Sequence, residues 1–478
     1  MNYKTIRYVL SWVLKIEAFC MILPLICAIV YKEHNIWIWL FTIAMCFFSG
    51  VLLCKKPPQN KTIYAKDGFV AVALSWIVLS IFGAFPLFFT GSVPSFINAL
   101  FETVSGFTTT GASVIADLDA LPKSIIFWRS FTHWIGGMGV LVFLVALLPL
   151  TGSGNFFLIK AESPGPAVSK LVPRVKTTAK ILYIIYIGLT VLQVILLLCG
   201  GMKLFDAITL TFGTAGTGGF GISNAGFSVY SSYCQIVITV FMIIFGIDFS
   251  IYHLIIMRKF RTAFKSDEVR TYLGIILASV VIICFNCRHL YTSLFDTVKH
   301  SAFQVASIIT TTGYTTVDFN LWPELSKSLL VLLMFFGACA GSTGGGIKIS
   351  RVMIMFKSII KEVRILAHPK STLKIKMNGR AVEHETVRAV NVFMMAYILI
   401  FAMSMLVISL DNLDFTTNFT AVAATINNVG PGLGAVGPMA NFSVYSPLSL
   451  FVLICDMLIG RLEIFPLLLL VSPYTWKK

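Results

Sequence analysis

Four short polar turns, each containing glycine, interrupt a chain that is otherwise dominated by long apolar runs. The first turn reads FTTTGAS over 107–113. Its relatives are TAGTGGF over 214–220, TTTGY over 310–314 and TINNVGP over 425–431. Each turn separates one apolar run from the next. An internal repeat of this kind constrains the fold strongly, because every copy has to adopt a similar local structure.

The apolar runs are long enough to cross a membrane. A spanning helix needs about 20 apolar residues, and runs of this kind lie near 8–31, 36–53, 68–90, 124–150, 180–200, 233–255, 271–289, 327–349, 387–410 and 446–473. Only 12% of the residues are charged, where a soluble domain has about 25%. Because continuous apolar runs satisfy their backbone in lipid as helices, the sequence predicts an all-α polytopic membrane protein with ten spans.

Basic residues concentrate in alternate connections between these runs. They occur within 55–66, 160–180, 258–270 and 350–388, whereas the other connections contain the polar turns and several aspartates. Lys and Arg mark cytoplasmic loops, so the four turns are predicted to enter from the outside. The formal net charge of +16 then reflects topology, and nucleic-acid binding is not expected.

Each outer connection also contains an apolar segment too short to span, at 97–107, 205–215, 296–309 or 414–427. Segments of about 10–14 residues are candidates for re-entrant helices. The acidic residues Asp206, Asp296 and Asp414 lie near three of the starts, where they suit a helix N-terminus. The predicted organisation is therefore two extra N-terminal transmembrane helices followed by four pseudo-symmetric helix–pore-loop–helix repeats around a central pore, over 1–60, 61–150, 175–260, 268–365 and 385–478.

Four polar turns at membrane depth are tolerated only if they are buried or line a water-filled path. If they meet on one axis, their carbonyls and hydroxyls form rings of oxygen atoms that can replace the hydration shell of a cation. Glycine suits such a turn because it adopts positive φ without steric cost. The alternative is that each turn is an ordinary outer loop.

At this point the sequence resembles a known family. The four repeats, FETVSGFTTTGA over 101–112, WRSFTHWIGGMG over 128–139 and IGRLEIF over 459–465 are similar to the Trk/Ktr/HKT superfamily of potassium transporters. The two extra N-terminal spans and the GRLEIF segment point to its TrkH branch. The resemblance implies a K⁺-binding filter made by Thr110, Gly111, Thr217, Gly218, Thr312, Gly313, Val429 and Gly430. The fourth turn departs from the hydroxyl pattern, which fits looser selectivity.

The eighth apolar run contains the segment GACAGSTGGGIK over 337–348. Each glycine in a helix costs about 1 kcal/mol relative to alanine, so the helix should break here. Close helix packing through small residues is one explanation. The resemblance implies another, an intramembrane loop that gates permeation through Gly344, Gly345, Gly346 and Lys348.

Arg461 lies in the last apolar run, between Asp456 and Glu463. A charged residue at this depth is costly and indicates function by default. It either forms a structural ion pair with one of these acids or, as the resemblance implies, projects beneath the filter and opposes cation passage.

The predicted function is potassium uptake through a gated, channel-like pore. The alternative is a proton- or sodium-coupled symporter that uses Asp248, His133 or Glu463 as a relay. A membrane enzyme is not expected, because the seven His are scattered. The resemblance implies K⁺ as the transported ion, no cofactor in this chain, a homodimer in the bacterial cytoplasmic (inner) membrane, and a cytosolic nucleotide-binding regulatory subunit (TrkA-like) that docks on the basic 351–388 region.

Overall fold

The computed structural model describes residues 1–54, 64–139, 175–371 and 373–476. These residues are mostly helical, which confirms the all-α prediction. The helices are α1 Tyr3–Cys20, α2 Ile22–Val30, α3 Ile36–Leu53, α4 Ala65–Phe89, α5 Phe96–Phe107, α6 Lys123–Gly137, α7 Val175–Cys199, α8 Leu204–Gly216, α9 Ser232–Phe245, α10 Phe249–Ile256, α11 Phe260–Ala263, α12 Asp267–Cys287, α13 Leu294–Ile309, α14 Glu324–Phe336, α15 Ile349–Ala367, α16 His384–Ile408, α17 Phe415–Ile426, α18 Pro447–Arg461, α19 Phe465–Val471 and α20 Pro473–Trp476. Strands β1 Lys376–Met377 and β2 Arg380–Ala381 pair in an antiparallel hairpin.

Six helical stretches within the described residues are long and apolar enough to cross a membrane without interruption. They cover Tyr3–Val30, Ile36–Leu53, Lys66–Phe89, Ala179–Cys199, Asp267–Leu290 and His384–Asp411. Helices α9 and α10 make a seventh only as a pair, because they are bent by 92° at the break between them. The chain is therefore a multi-pass membrane protein.

The prediction of ten continuous spans was wrong for the sixth and the last runs, whereas the break predicted in the eighth run is present. The sixth run bends at Gly246–Asp248, the eighth is broken between α14 and α15, and the last is broken between α18 and α19. The last break lies at two consecutive residues with left-handed backbone, Glu463 (φ 59°) and Ile464 (φ 69°). The fourth run, predicted over 124–150, extends outside the described residues, as do the basic residues at 55–63 and 160–174.

Four short helices stand where the re-entrant segments were predicted. They are α5, α8, α13 and α17, and we call them the pore helices. Asp414 caps the fourth by accepting a hydrogen bond from the Thr417 N–H. Asp206 and Asp296 lie in the first turns of the second and third rather than at the cap. Each acid still lies at the positive end of a helix dipole, as expected.

The pore helices and the turns after them occupy the interior of the molecule. The segment Phe101–Thr110 is buried throughout, and so is Thr417–Gly430 except for the half-buried Phe419. The spanning helices lie outside this centre. Only 22% of the most apolar window of α16 is buried, and Met395, Leu399 and Met403 are exposed. An exposed apolar face on a spanning helix is what contact with lipid requires.

Candidate ion pathway

The four pore helices end in the same local structure. A residue with left-handed backbone follows each, namely Thr109, Thr217, Thr311 and Asn428. The next N–H donates back to the carbonyl five residues earlier at 2.8 Å in every case, from Thr110 to Ser105, Gly218 to Gly213, Thr312 to Ser307 and Val429 to Ala424. This is the Schellman motif, in which glycine is the usual left-handed residue. Threonine there costs about 1–3 kcal/mol, a strain that tends to persist at functional sites.

Four glycines with positive φ come two residues after the left-handed ones, and they interlock in a ring. They are Gly111 (φ 80°), Gly219 (φ 75°), Gly313 (φ 82°) and Gly430 (φ 101°). A Cβ added to each would overlap a carbonyl oxygen of the following repeat, that of Gly218, Thr312, Val429 and Thr110 in turn. The contact of Gly430 with Thr110 joins the fourth repeat to the first. The four turns therefore surround one axis in chain order.

The ring corrects the register of the second turn by one residue. Sequence comparison aligned Gly218 with Gly111, Gly313 and Gly430, and Thr217 with the residues before them. The structural equivalent of Gly111 is Gly219, and Gly218 corresponds to Thr110, Thr312 and Val429 as a carbonyl of the ring. Thr217 is the left-handed residue at the end of the pore helix, equivalent to Thr109.

Side chains complete the turns in different ways. In the first and third, two hydroxyls contact each other at 2.8 Å, Thr108 with Thr110 and Thr310 with Thr312. In the fourth, the Asn428 amide donates to Thr110 Oγ1 and to the Met457 carbonyl, both at 2.9 Å. The fourth turn therefore binds its neighbours through an amide, in keeping with its different sequence.

A buried ion pair supports the first two turns from behind. Arg129 and Glu102 are 2.6 Å apart and almost fully buried. The Glu102 carboxylate accepts from the Ser113 hydroxyl and the Val114 N–H, just beyond Gly111. Arg129 donates to the Gly221 carbonyl at 3.2 Å and lies over the Phe220 ring. His133, four residues further along α6, stacks on the same Phe220 side chain. Both Arg129 and His133 therefore pack behind the four turns rather than face the axis that the turns surround.

The segment Gly337–Lys348, which we call the intramembrane loop, has no regular structure and lies against the third and fourth polar turns. Four of its residues have positive φ, namely Gly337, Gly341, Gly346 and Lys348. The Gly345 N–H donates to Thr311 Oγ1 at 2.6 Å. A Cβ on Gly344 would lie 3.0 Å from the Thr310 carbonyl oxygen, and one on Gly345 would lie 2.6 Å from that of Asn427. Small residues thus let the loop approach the third and fourth turns closely.

Two basic side chains, Lys348 and Arg461, belong to the layer that the intramembrane loop forms against the turns. Lys348 is buried and donates to the Gly344 carbonyl within the loop. The Arg461 guanidinium donates to the Thr343 carbonyl of the loop at 2.9 Å and to Thr109 Oγ1 of the first turn at 3.2 Å. It also donates to the carbonyls of Gly136 and Gly137 at the end of α6. Arg461 therefore connects the loop, the first polar turn and α6.

The acidic neighbours of Arg461 in the sequence have other partners. Glu463 forms two hydrogen bonds with Arg351, at 3.0 and 2.5 Å. Asp456 accepts from the Ser404 hydroxyl at 2.7 Å. The hydrogen bonds of Arg461 described above all go to neutral oxygen atoms.

Several residues of the site were missed by sequence reasoning. Gly219, Thr109, Thr311 and Asn428 belong to the repeated helix end, and a stricter comparison of the four turns would have found them. Glu268 binds the intramembrane loop through two backbone N–H groups. It lies in the first turn of α12, far from the loop in sequence, and no local pattern identifies it.

The exposed acidic residue Asp117 lies on the segment that follows the first polar turn. The Asn224 amide donates to Asp117 at 2.8 Å, which joins the segments after the first and second turns. This hydrogen bond lowers the pKa of the Asp117 carboxyl below its ordinary value. The group is therefore ionised at neutral pH, and its negative charge favours cations near this end of the axis.

Comparisons with known proteins identify the family of this chain. The family model TrkH, described as a cation transport protein, matches residues 34–477. The chain is 37% identical to the Trk system potassium uptake protein TrkH of Salmonella typhimurium and 36% identical to that of Escherichia coli K12. Each alignment covers 100% of this chain and 100% of the relative. It superimposes on the crystal structure of the potassium transporter TrkH from Vibrio parahaemolyticus with a TM-score of 0.89 and 34% identity, covering 100% of both chains. The chain therefore belongs to the TrkH family of cation transport proteins.

Proposed function

We propose that this protein takes up potassium through a channel-like pore whose filter is the ring of four turns. The main support for this proposal is the closed ring in which Gly111, Gly219, Gly313 and Gly430 each lie against a carbonyl of the following turn. Carbonyls held around one axis replace the water of a partly dehydrated cation. The filter residues are Thr110, Gly111, Gly218, Gly219, Thr312, Gly313, Val429 and Gly430, with Thr217 at the end of the second pore helix.

Electrostatics and the relatives support a cation, and potassium in particular. All four pore helices direct their C-terminal ends at the ring, and each end carries about half a negative charge. The relatives described above are named as potassium uptake proteins or potassium transporters. Four partial charges on one axis stabilise a cation and disfavour an anion.

The intramembrane loop and Arg461 form the gate in this proposal. The loop contacts the third and fourth turns, and Arg461 joins it to the first. A cation leaving the ring on this side meets the charge of Arg461, which repels it. Conduction then requires the loop and Arg461 to move apart, and a hydrogen-bonded segment without regular structure can do so at moderate cost.

Control of this gate is assigned to a cytosolic nucleotide-binding subunit that docks on the basic 351–388 region. The protein is proposed to act as a homodimer in the bacterial inner membrane, with its ring toward the outside. The distribution of Lys and Arg supports this orientation, and the Trk system named for the relatives supports a multi-component assembly.

The deciding experiment is a reversal-potential measurement on the purified protein in planar bilayers. We expect the potential to follow the K⁺ gradient alone. Imposed pH and Na⁺ gradients test the symport alternative, since coupled transport shifts the potential with the coupling ion. A shift with pH or Na⁺ at constant K⁺ would contradict the channel mechanism.

A further inference from the structure

Both ends of the intramembrane loop are held by one carboxylate from another helix. Glu268 lies in the first turn of α12. Its Oε1 atom accepts a hydrogen bond from the Ala340 N–H at 2.7 Å and another from the Ser350 N–H at 3.1 Å. Ala340 lies near the start of the loop and Ser350 lies just beyond its end. A single oxygen atom therefore bridges the two ends of the loop, beside the hydrogen bond that the Ile349 N–H donates to the Ala338 carbonyl at 3.2 Å.

The loop needs such a clamp because its own backbone is unfavourable. The positive φ of Lys348, 79°, is an outlier for a residue with a long side chain. Strained backbone of this kind persists only where surrounding groups determine it. Hydrogen bonds to a charged acceptor are stronger than those to a neutral one, and Glu268 supplies two of them.

The residue before Glu268 contacts a different part of the molecule. The Asp267 N–H donates to Asn378 Oδ1, and the Asn378 N–H donates to Asp267 Oδ2, both at 2.7 Å. Asn378 and Gly379 form the left-handed turn between β1 and β2. This hairpin lies in the basic 351–388 region. Two adjacent residues at the start of one helix thus bind the hairpin and the loop.

We infer that Glu268 is a positioning residue that clamps the intramembrane loop, and that Asp267 couples this clamp to the β1–β2 hairpin. Asp267 and Glu268 belong to the same helical turn, so a force on the hairpin that shifts Asp267 also shifts Glu268. Loss of the two hydrogen bonds at Ala340 and Ser350 then frees the base of the loop. The inference rests on the proposed function, in which this loop is the gate.

Cys339 provides a measurement of loop release that does not depend on transport. It lies in the loop beside Ala340, and its side chain is fully buried. The full-length protein in nanodiscs is treated with N-ethylmaleimide, and labelling of the Cys339 peptide is followed by mass spectrometry. We expect Glu268→Ala to increase the labelling rate about tenfold, since two charge-assisted hydrogen bonds are lost. Partner-free K⁺ flux into liposomes should rise, with unchanged K⁺/Na⁺ discrimination.

Two conservative variants separate the clamp from a general effect on folding. The amide oxygen of Glu268→Gln can occupy the place of Oε1 and accept both hydrogen bonds, although without the charge, so labelling should rise only about threefold and stay well below that of Glu268→Ala. Glu268→Asp keeps the charge but withdraws the oxygen by one methylene, so it should behave like Glu268→Ala. Glu324→Ala is the matched control, because Glu324 also begins a helix but is exposed and pairs only with Lys327 among the ion pairs of the described residues.

Coupling to the hairpin is tested by Asn378→Ala, which removes the side-chain acceptor for the Asp267 N–H. We expect faster Cys339 labelling than in wild type, but slower than in Glu268→Ala, because the clamp itself remains. Labelling at the wild-type rate in Asn378→Ala would overturn the coupling.

Protection of Cys339 in folded Glu268→Ala and Glu268→Asp proteins would overturn the clamp, as would full exposure of Cys339 in Glu268→Gln. If Glu268→Ala aggregates, Glu268→Asp decides the question. Exposure of Cys339 without any change in flux would support the clamp and contradict the gate. A wild-type protein without K⁺ flux would contradict the proposed function, and labelling would still decide the clamp.

Discussion

The ring formed by the four polar turns and the layer formed by the intramembrane loop and Arg461 are adjacent, but they are built in opposite ways. The ring repeats one backbone structure four times, with the same 2.8 Å hydrogen bond at each helix end. The layer contains one loop and one arginine, held by contacts that occur once. Repetition produces a symmetric set of oxygen atoms, whereas the unique segment breaks the symmetry. Selection of an ion suits the first arrangement, and control of its passage suits the second.

The ring and the layer meet at two threonine hydroxyls. Thr109 and Thr311 occupy equivalent positions in the ring, and the hydroxyl of each accepts a hydrogen bond from the layer. Thr217 occupies the same position in the second turn, but its hydroxyl donates to the Gly216 carbonyl of its own turn. Among the described residues, the layer therefore donates hydrogen bonds to the hydroxyls of Thr109 and Thr311 and none to that of Thr217.

The largest expected effect is on the ring. Gly313→Ser places a side chain at φ 82° against the Val429 carbonyl, and we expect K⁺/Na⁺ discrimination to fall about thirtyfold, since strain and a displaced ring oxygen act together. Ion flux into liposomes measures this. Gly201→Ser is the matched control, because Gly201 has φ 81° with open space around it. Equal discrimination in the two variants would contradict the filter assignment.

The register of the second turn gives a sharper test of the same ring. Gly219→Ala meets the Thr312 carbonyl and should reduce discrimination about tenfold. Gly218→Ala meets the His133 ring, which is a side chain and can be removed. The double variant Gly218→Ala/His133→Ala should therefore keep most of the wild-type discrimination. The opposite ranking would restore Gly218 as the equivalent of Gly111.

The layer is tested by removing its cation. Arg461→Ala should increase K⁺ flux without the partner about five- to tenfold, because a charge on the exit path and the contacts to Thr343 and Thr109 are lost. Deletion of Gly344–Gly346 should act in the same direction, and K⁺/Na⁺ discrimination should not change in either variant. The exposed Arg288 is the control position for Arg→Ala. Reduced flux in a folded Arg461→Ala protein would contradict the gate.

The smallest effect concerns the contacts between ring and layer. Thr311→Ala and Thr109→Ala should each increase partner-free flux about threefold, since a single hydrogen bond contributes of order 1 kcal/mol. Thr217→Ala is the internal control and should leave partner-free flux near that of wild type. Flux measurements on the three proteins at matched reconstitution compare them directly. If partner-free flux rises as much in Thr217→Ala as in the other two variants, general loosening of the ring explains the effect and the specific contacts do not.

The ring was largely accessible from the sequence, and the layer was not. The pore helices were predicted within a few residues because turn-forming residues bound them on both sides. Gly218 and Gly219 are adjacent, so composition could not choose between them, and the Gly218–Gly213 hydrogen bond decides. The breaks at Gly246–Asp248 and at Glu463–Ile464 lie inside runs that are apolar on average, and the charged residues Asp248 and Glu463 were interpreted as functional candidates rather than as signs of a break.

Contacts between distant segments were the least predictable. The ion pair of Arg351 with Glu463 and the bonds of Glu268 to the loop depend on how helices pack in three dimensions. The Asn378–Gly379 hairpin is different, because Asn-Gly is a strong local signal for a two-residue turn. It was overlooked within a region considered only for its charge.

The contact between Gly430 and Thr110 has a consequence for how the protein is made. It joins turns near opposite ends of the chain, so the ring cannot close until the fourth repeat has been synthesised and inserted. Until then the first turn lacks its contact with the fourth turn, and the ring is incomplete. Contacts of such long sequence separation form late, and the complete ring is therefore acquired at the end of biogenesis.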